Sequence, residues 1–213
     1  MGNDHWPLFD LEICTPKLTL RYLDDGLAER LVAVAARGVH DPAVMPFSIP
    51  CTDVPSPQME QEAMRFYWRS RADTQPESWR LLHAVIVDGA VVGACDLFAN
   101  DFPVLRQFET GPWLGREFQG RGFGKEMRLA ALTLGFDGFG AEIATTGLWH
   151  DNAASLGVTR SLGYEEAGRR RARRRDTADE LIGFRMFRPH WDTLRRDDIT
   201  LHGVDAARDF LGA

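Results

Sequence analysis

The window Arg116–Met127, REFQGRGFGKEM, carries glycines at 120, 122 and 124, directly ahead of a stretch with helical periodicity. Glycine weakens a helix and is used where backbone must turn sharply or approach another group closely. Between a strand and a helix, alternate glycines let successive N–H groups point into one concavity. The start of the helix adds a field that favours an anion. That combination suits a pyrophosphate, with Arg116, Arg121 and Lys125 adding charge beside it. A turn needed only for tight strand–helix packing would use the same glycines, and spacing alone leaves both readings open. Two other phosphate loops are excluded. Gly124-Lys125 is followed by Glu126, where a P-loop needs Ser or Thr. A G-x-G-x-G run after antiparallel strands is not the dinucleotide fingerprint that follows the first strand of a βαβ unit.

The elements that would position this loop follow from periodicity and punctuation. Leu18–Leu23 alternates as a strand does, and the segment from Asp24 to Gly38 has an acidic start, apolar residues at helical spacing and a glycine stop. Residues 40–58 hold five of the eleven prolines and read as a long loop, followed by a helix from about Gln58 to Arg71. Two β-branched-rich runs flank Asp88-Gly89, which predicts a hairpin with a two-residue turn. QFETGPWLG gives a further strand, with Gly111-Pro112 hinting at a bulge or break in its middle. After the glycines come a helix, a strand through IATTGLW, a short helix ending at Gly163, and strands over about 165–174 and 180–187. Strands and helices in this order predict a mixed α/β or α+β sheet with helices packed against it.

Composition narrows the function classes. A chain of 213 residues with 44% hydrophobic and 26% charged residues is an ordinary globular composition, long enough for one substantial core. The net charge of −6 argues against a surface built throughout for nucleic acid or anionic membrane. The balance is uneven, because six arginines lie between Arg169 and Arg175 and the remainder is distinctly acidic. A solvated surface is the default reading of that run, partly exposed and partly paired with acids; an acidic partner such as RNA is the less favoured one. Cys14, Cys51 and Cys95 are far apart and form no CxxC pair, so reduced thiols are expected, with neither a disulfide framework nor a metal site. No apolar run approaches the ~20 residues of a membrane span, and the first residues lack a signal-peptide pattern. The expectation is a cytoplasmic protein.

Gln119-x-x-Gly122-x-Gly124 matches the Q/R-x-x-G-x-G/A motif of the GNAT acyltransferases, whose loop holds the pyrophosphate of acyl-CoA. KLTLRYL, ETGPWLGREFQGRGFG and DNAASLGVTRSLGYEEAG also resemble segments of that family, in its order, and point to its RimJ/RimL-like branch. The resemblance spans about Leu18–Phe187. It implies a GNAT fold: a central mixed, mostly antiparallel twisted sheet of six to seven strands flanked by about four helices. The domain would cover 18–188, with extensions at 1–17 and 189–213; apolar positions in the second could add a helix or a strand to a partner in a homodimer.

The same resemblance implies the site. Backbone at Trp113, Leu114 and Gly115 would bond the pantetheine arm. Gln119, Gly120, Arg121, Gly122, Phe123, Gly124 and Lys125 would cradle the pyrophosphate, while Asn152 and Ser155 would face the thioester end. Glu109 would act as base through water, or be an exposed strand residue without a role. Many GNAT enzymes place a tyrosine seven residues after the asparagine; here it is Thr159, and Ser155 is the substitute donor to the leaving thiolate. His150 is a lesser candidate for base, and His40, Met45, Pro46, Phe47 and Trp68 are candidates to line the acceptor pocket. The implied reaction moves an acyl group from acyl-CoA, acetyl by default, to a primary amine. Another donor such as succinyl-CoA is one alternative, and a non-catalytic CoA-binding sensor or RNA-associated factor is another.

Overall fold

The structure, a computed structural model, describes residue 3 and residues 5–213. Local chemistry sets the first elements. The Asp24 carboxylate accepts from the Leu27 N–H at 2.7 Å and starts α1 (Asp25–Ala36), which stops before Gly38 at φ +109°. The turn between β3 (Ser78–Val87) and β4 (Ala90–Asn100) has Asp88 and Gly89 at φ +48° and +76°, the two positive values a tight hairpin turn requires.

One sheet organises the chain. Its nine strands run in the order β7-β8-β6-β5-β4-β3-β2-β1-β9, antiparallel throughout except for β5 against β6. The remaining strands are β1 (Glu12–Cys14), β2 (Thr19–Tyr22), β5 (Gln107–Leu114), β6 (Ile143–Trp149), β7 (Glu165–Arg174), β8 (Thr177–Phe187) and β9 (Thr200–His202). Seven of the nine match the expected strands. The other two, β1 and β9, come from the segments before residue 18 and after 188, and they pair with each other. The tail strand pairs with β1 of its own chain and forms the last strand at that end of the sheet.

Helices α1 and α2 (Gln58–Ala72) cover one face over Leu82, Ala84, Val91 and Ala94. The other face packs Leu81, Val85, Val92 and Leu97 under α4 (Phe123–Thr133), α5 (Ala153–Ser161), α6 (Arg188–Leu194) and α7 (Val204–Leu211). The short α3 (Phe102–Leu105) joins β4 to β5. Just beyond α4 the helix widens into a π turn at Leu134–Gly138. There a Cβ on Gly135 would meet the Phe108 ring atoms at 2.2–2.6 Å, so only glycine lets the turn lie on that ring.

His83 on β3 is fully buried, and neither ring nitrogen has a hydrogen-bond partner among the described residues. Burial pushes its pKa down to about 4, so it is neutral in the fold. A histidine held below its unfolded value of about 6.5 contributes no penalty above that pH and destabilises the fold as pH falls toward 4. Between pH 7 and pH 5 this one group should remove about 2 kcal/mol of stability. Urea midpoints at the two pH values should therefore differ less for His83→Leu than for the unaltered protein.

Candidate active site

The parallel pairing of β5 with β6 covers Gln107↔Ile143, Phe108↔Ala144 and Glu109↔Thr145, and stops there. On its other side β5 stays in unbroken register with β4 from Glu109 to Leu114. The bulge expected at Gly111-Pro112 is thus absent from the β4 ladder, and the interruption falls on the β6 edge. Past Glu109 the two strands diverge and leave one backbone edge of residues 110–114 outside the ladder. At the apex, the Thr146 hydroxyl donates to the Thr110 carbonyl at 3.3 Å.

At the open end of this gap, β5 leads through the glycine stretch into α4. Gly120 and Gly122 sit at φ +74° and +83°, and a Cβ at either would meet nothing within 4 Å. Backbone angle, not crowding, demands glycine there. Gly124 has an ordinary backbone, and its Cβ would lie 3.7 Å from Val158. Gly122 caps α4 without any side-chain hydrogen bond, so the helix's first N–H groups face outward uncapped. Arg116, Arg121 and Lys125 are exposed around them and have no acidic partner among the described residues, since Glu117 pairs with Arg37 at 2.9 Å. This is an anion site in composition and in backbone.

The motif glutamine has a different task. The Gln119 carboxamide donates to the carbonyls of Val39 (2.7 Å) and Leu114 (2.9 Å), tying the end of β5 to the segment after α1. Phe118 and Phe123 are half-buried against the core beside the loop.

Glu109, Gly111 and Trp113 point to the face of the sheet covered by α1 and α2, as Asp96 on β4 and Arg80 on β3 do by the alternation of paired strands. Arg80 binds Asp96 at 3.0 Å and lies 3.9 Å from the Phe98 ring centroid. Burial pushes Asp96 up to about 6 against the pull of Arg80. Burial also raises Glu109, and Arg80, Arg170 and Arg128 oppose that rise. Tyr67 on α2 is buried close enough to Asp96 and Cys51 for their charges to raise its phenol beyond what burial does. None of Arg80, Asp96 and Tyr67 stood out in the sequence; a charged residue inside a hairpin strand was the one available signal.

At the start of α5, the Asn152 side-chain oxygen accepts from the Ser155 N–H at 3.2 Å and caps the helix. Ser155 is half-buried, and its hydroxyl has no partner among the described residues. His150 is half exposed and sits 3.3 Å from Asp179. His40 is bound within its loop, to the Asp41 carbonyl and the Thr52 hydroxyl, with its ring edge-on to Phe47. Trp68 does not join that group: it is 49% exposed and its indole N–H goes to Asp25. Met45 is buried, its carbonyl held by Arg174 at 2.7 Å.

A family model for the acetyltransferase (GNAT) domain matches residues 17–165. The chain belongs to the GNAT acetyltransferase family. It is an N-acyltransferase of that family. Solved GNAT structures share the fold at low identity. A GCN5-related N-acetyltransferase from Brucella melitensis superposes with a TM-score of 0.67 at 19% identity, covering 86% of this chain and 81% of that one. A GNAT-family acetyltransferase from Bacillus anthracis gives 0.65 at 15%, over 83% and 98%. RimL, a ribosomal L7/L12 alpha-N-protein acetyltransferase solved in complex with coenzyme A, gives 0.63 at 15%, over 81% and 95%. Among the described residues of this GNAT protein no helix is long and apolar enough to cross a membrane.

The residues present suit coenzyme A: an uncapped helix start with free cations for the phosphates, and an unladdered strand edge for the amides of the arm. Gly122→Val should keep its circular dichroism yet lower CoA affinity about tenfold or more, because a β-branched residue resists φ +83° and shifts the loop. Calorimetric titration measures this, and equal affinities would remove the loop from the CoA site.

Proposed function

We propose that this GNAT protein transfers an acyl group from acyl-CoA to a primary amine by direct attack in a ternary complex. The observation that supports this most strongly is the divergence of β5 from β6 after Glu109, with the uncapped α4 start at one end and a half-buried carboxyl at the other. In this reading the phosphates lie on Gly120–Lys125. The pantetheine arm bonds the free edge near Trp113, with Gln119 acting indirectly by holding Leu114 and Gly115 in place. The amine arrives from the α1–α2 face.

The amine nitrogen must be neutral to attack. Glu109 takes its proton, directly or through water, as the C–N bond forms, and the C–S bond then breaks to release CoA thiolate. Asp96 is the poorer acceptor because Arg80 already holds it, whereas Glu109 has no hydrogen-bonded partner among the described residues. Burial also raises the Glu109 carboxyl toward the range useful to a base. Ser155, with its free hydroxyl at the start of α5, donates to the departing sulfur. A CoA thiol is about as acidic as a free cysteine thiol, so a hydrogen bond suffices. RimL's action on a protein α-amine supports a protein N-terminus as one acceptor; a lysine or a small amine fits the same chemistry. Acetyl-CoA is the family's default donor. The three free cysteines suit a reducing, cytoplasmic setting.

Glu109→Gln preserves shape but cannot take a proton. Its rate should fall at neutral pH and partly recover at higher pH, where more amine is already neutral. A pH–rate profile superimposable on that of the unaltered protein would refute the base role. Ser155→Ala should lower the maximal rate by about tenfold to a hundredfold, with the acceptor Michaelis constant little changed. Weakened acceptor binding at an unchanged rate would instead place α5 on the acceptor side.

A further inference from the structure

Among the described residues three acidic or basic side chains besides His83 are buried, and two of them are paired. Arg174 binds Asp151 and Asp179, and Glu126 binds Arg196. Arg128, on the second turn of α4, is 1% exposed and has no acidic partner among the described residues; its Nε and Nη1 make no hydrogen bond. An unpaired buried cation is one of the costlier things a fold can contain.

Two further unpartnered groups meet it. The hydroxyls of Tyr164 and Thr110 are buried without hydrogen bonds among the described residues. The Arg128 guanidinium stands 5.8 Å from the Tyr164 ring centroid. Burial raises the Tyr164 phenol, and both Arg128 and the Thr110 hydroxyl pull it back, so the three converge. Thr110 is the first residue of β5 beyond its last pair with β6. The cluster therefore lies at the apex of the gap, on the opposite sheet face from Glu109.

We propose that Arg128, Tyr164 and Thr110 form the acyl subsite, and that it takes the free carboxylate of a dicarboxylic acyl group, as in a succinyl thioester. The proposal rests on the acyl-CoA reading above. The placement selects the ligand. Phosphates at the start of α4 lie about 9 Å away, six residues at the helical rise. The amides of the pantetheine arm are neutral. Of the parts of the ligand, only the far end of the acyl group can bring a negative charge to the Arg128 side of the apex; the Glu109 carboxyl points to the opposite face. An acetyl group would leave Arg128 as it stands, buried and unmatched, whereas a carboxylate accepts from the guanidinium fork and from the Tyr164 hydroxyl together.

The test is calorimetric binding of CoA, acetyl-CoA and succinyl-CoA to the full chain, which needs no acceptor. Succinyl-CoA should bind about fivefold or more tighter than acetyl-CoA, on the scale of the net gain from one ordinary hydrogen bond. Arg128→Met should abolish that advantage and Tyr164→Phe should reduce it. An advantage of less than about fivefold in the unaltered protein, which depends on no variant folding, overturns the subsite while leaving the N-acyltransferase reading intact. Retention of the advantage by folded Arg128→Met also overturns it. If none of the three ligands binds, the acyl-CoA reading of the site falls, and the subsite with it.

Discussion

Backbone pairing between β5 and β6 ends at Glu109 and Thr145, and the arrangement of the site depends on that ending. In a continuous parallel ladder the peptide groups of residues 110–114 would be satisfied on both sides. Here β4 satisfies one side and the other opens into a gap. An unpaired strand edge is usually a liability at the rim of a sheet. This one lies in the middle of nine strands, where another sheet cannot reach it. The divergence is braced at both ends. Thr146 holds the Thr110 carbonyl at the apex, and Gln119 holds Leu114 and Val39 at the mouth.

The two faces of the sheet present opposite electrostatics to that gap. On the α1–α2 face, Glu109 and Asp96 are half-buried carboxyls with Arg80 committed to one of them. On the α4–α5 face, Arg128 is a cation among hydroxyls. Neighbouring residues on one strand, Glu109 and Thr110, therefore face different chemical environments because side chains alternate across a sheet. In the proposed mechanism one face would hold the base and the other the acyl group, a division of labour that strand alternation makes available without any added element.

The arginine run is less a patch than a clamp. Arg174 reaches the Met45 carbonyl as well as Asp151 and Asp179, and Arg175 bonds both oxygens of Asp53 and the Pro42 carbonyl. Together with the Trp149 indole donating to the Phe47 carbonyl, these bonds fasten the proline-rich loop to the β7–β8 hairpin. Arg169 and Arg173 pair with acids at the surface, as expected of a solvated strand. The clamp fixes one wall of the side from which an acceptor would approach.

Local signals in the sequence were sufficient for most elements and for the anion loop. Asp88-Gly89 and the alternate glycines at 120 and 122 each require a backbone angle that few other residues tolerate, so residue type alone betrays the conformation. The caps at Asp24 and Asn152 are equally local, since a side chain two or three residues away satisfies the helix start. Other features depended on segments far apart in the chain. The pairing of β1 with β9 joins the two terminal segments. Asp96 and Arg80 meet only because β3 and β4 hold a particular register. Arg128 reads in sequence as an ordinary exposed helix residue; its burial beside Tyr164 follows from how α4 and the end of α5 pack on the sheet. Where the chain turns, where its helices begin and which loop has the backbone to suit an anion are legible in the residues themselves, because those depend on the conformations and hydrogen bonds of near neighbours. Where β5 leaves β6 and which charges are buried without a partner became visible in the folded chain, because pairing, desolvation and charge compensation depend on which distant segments come together.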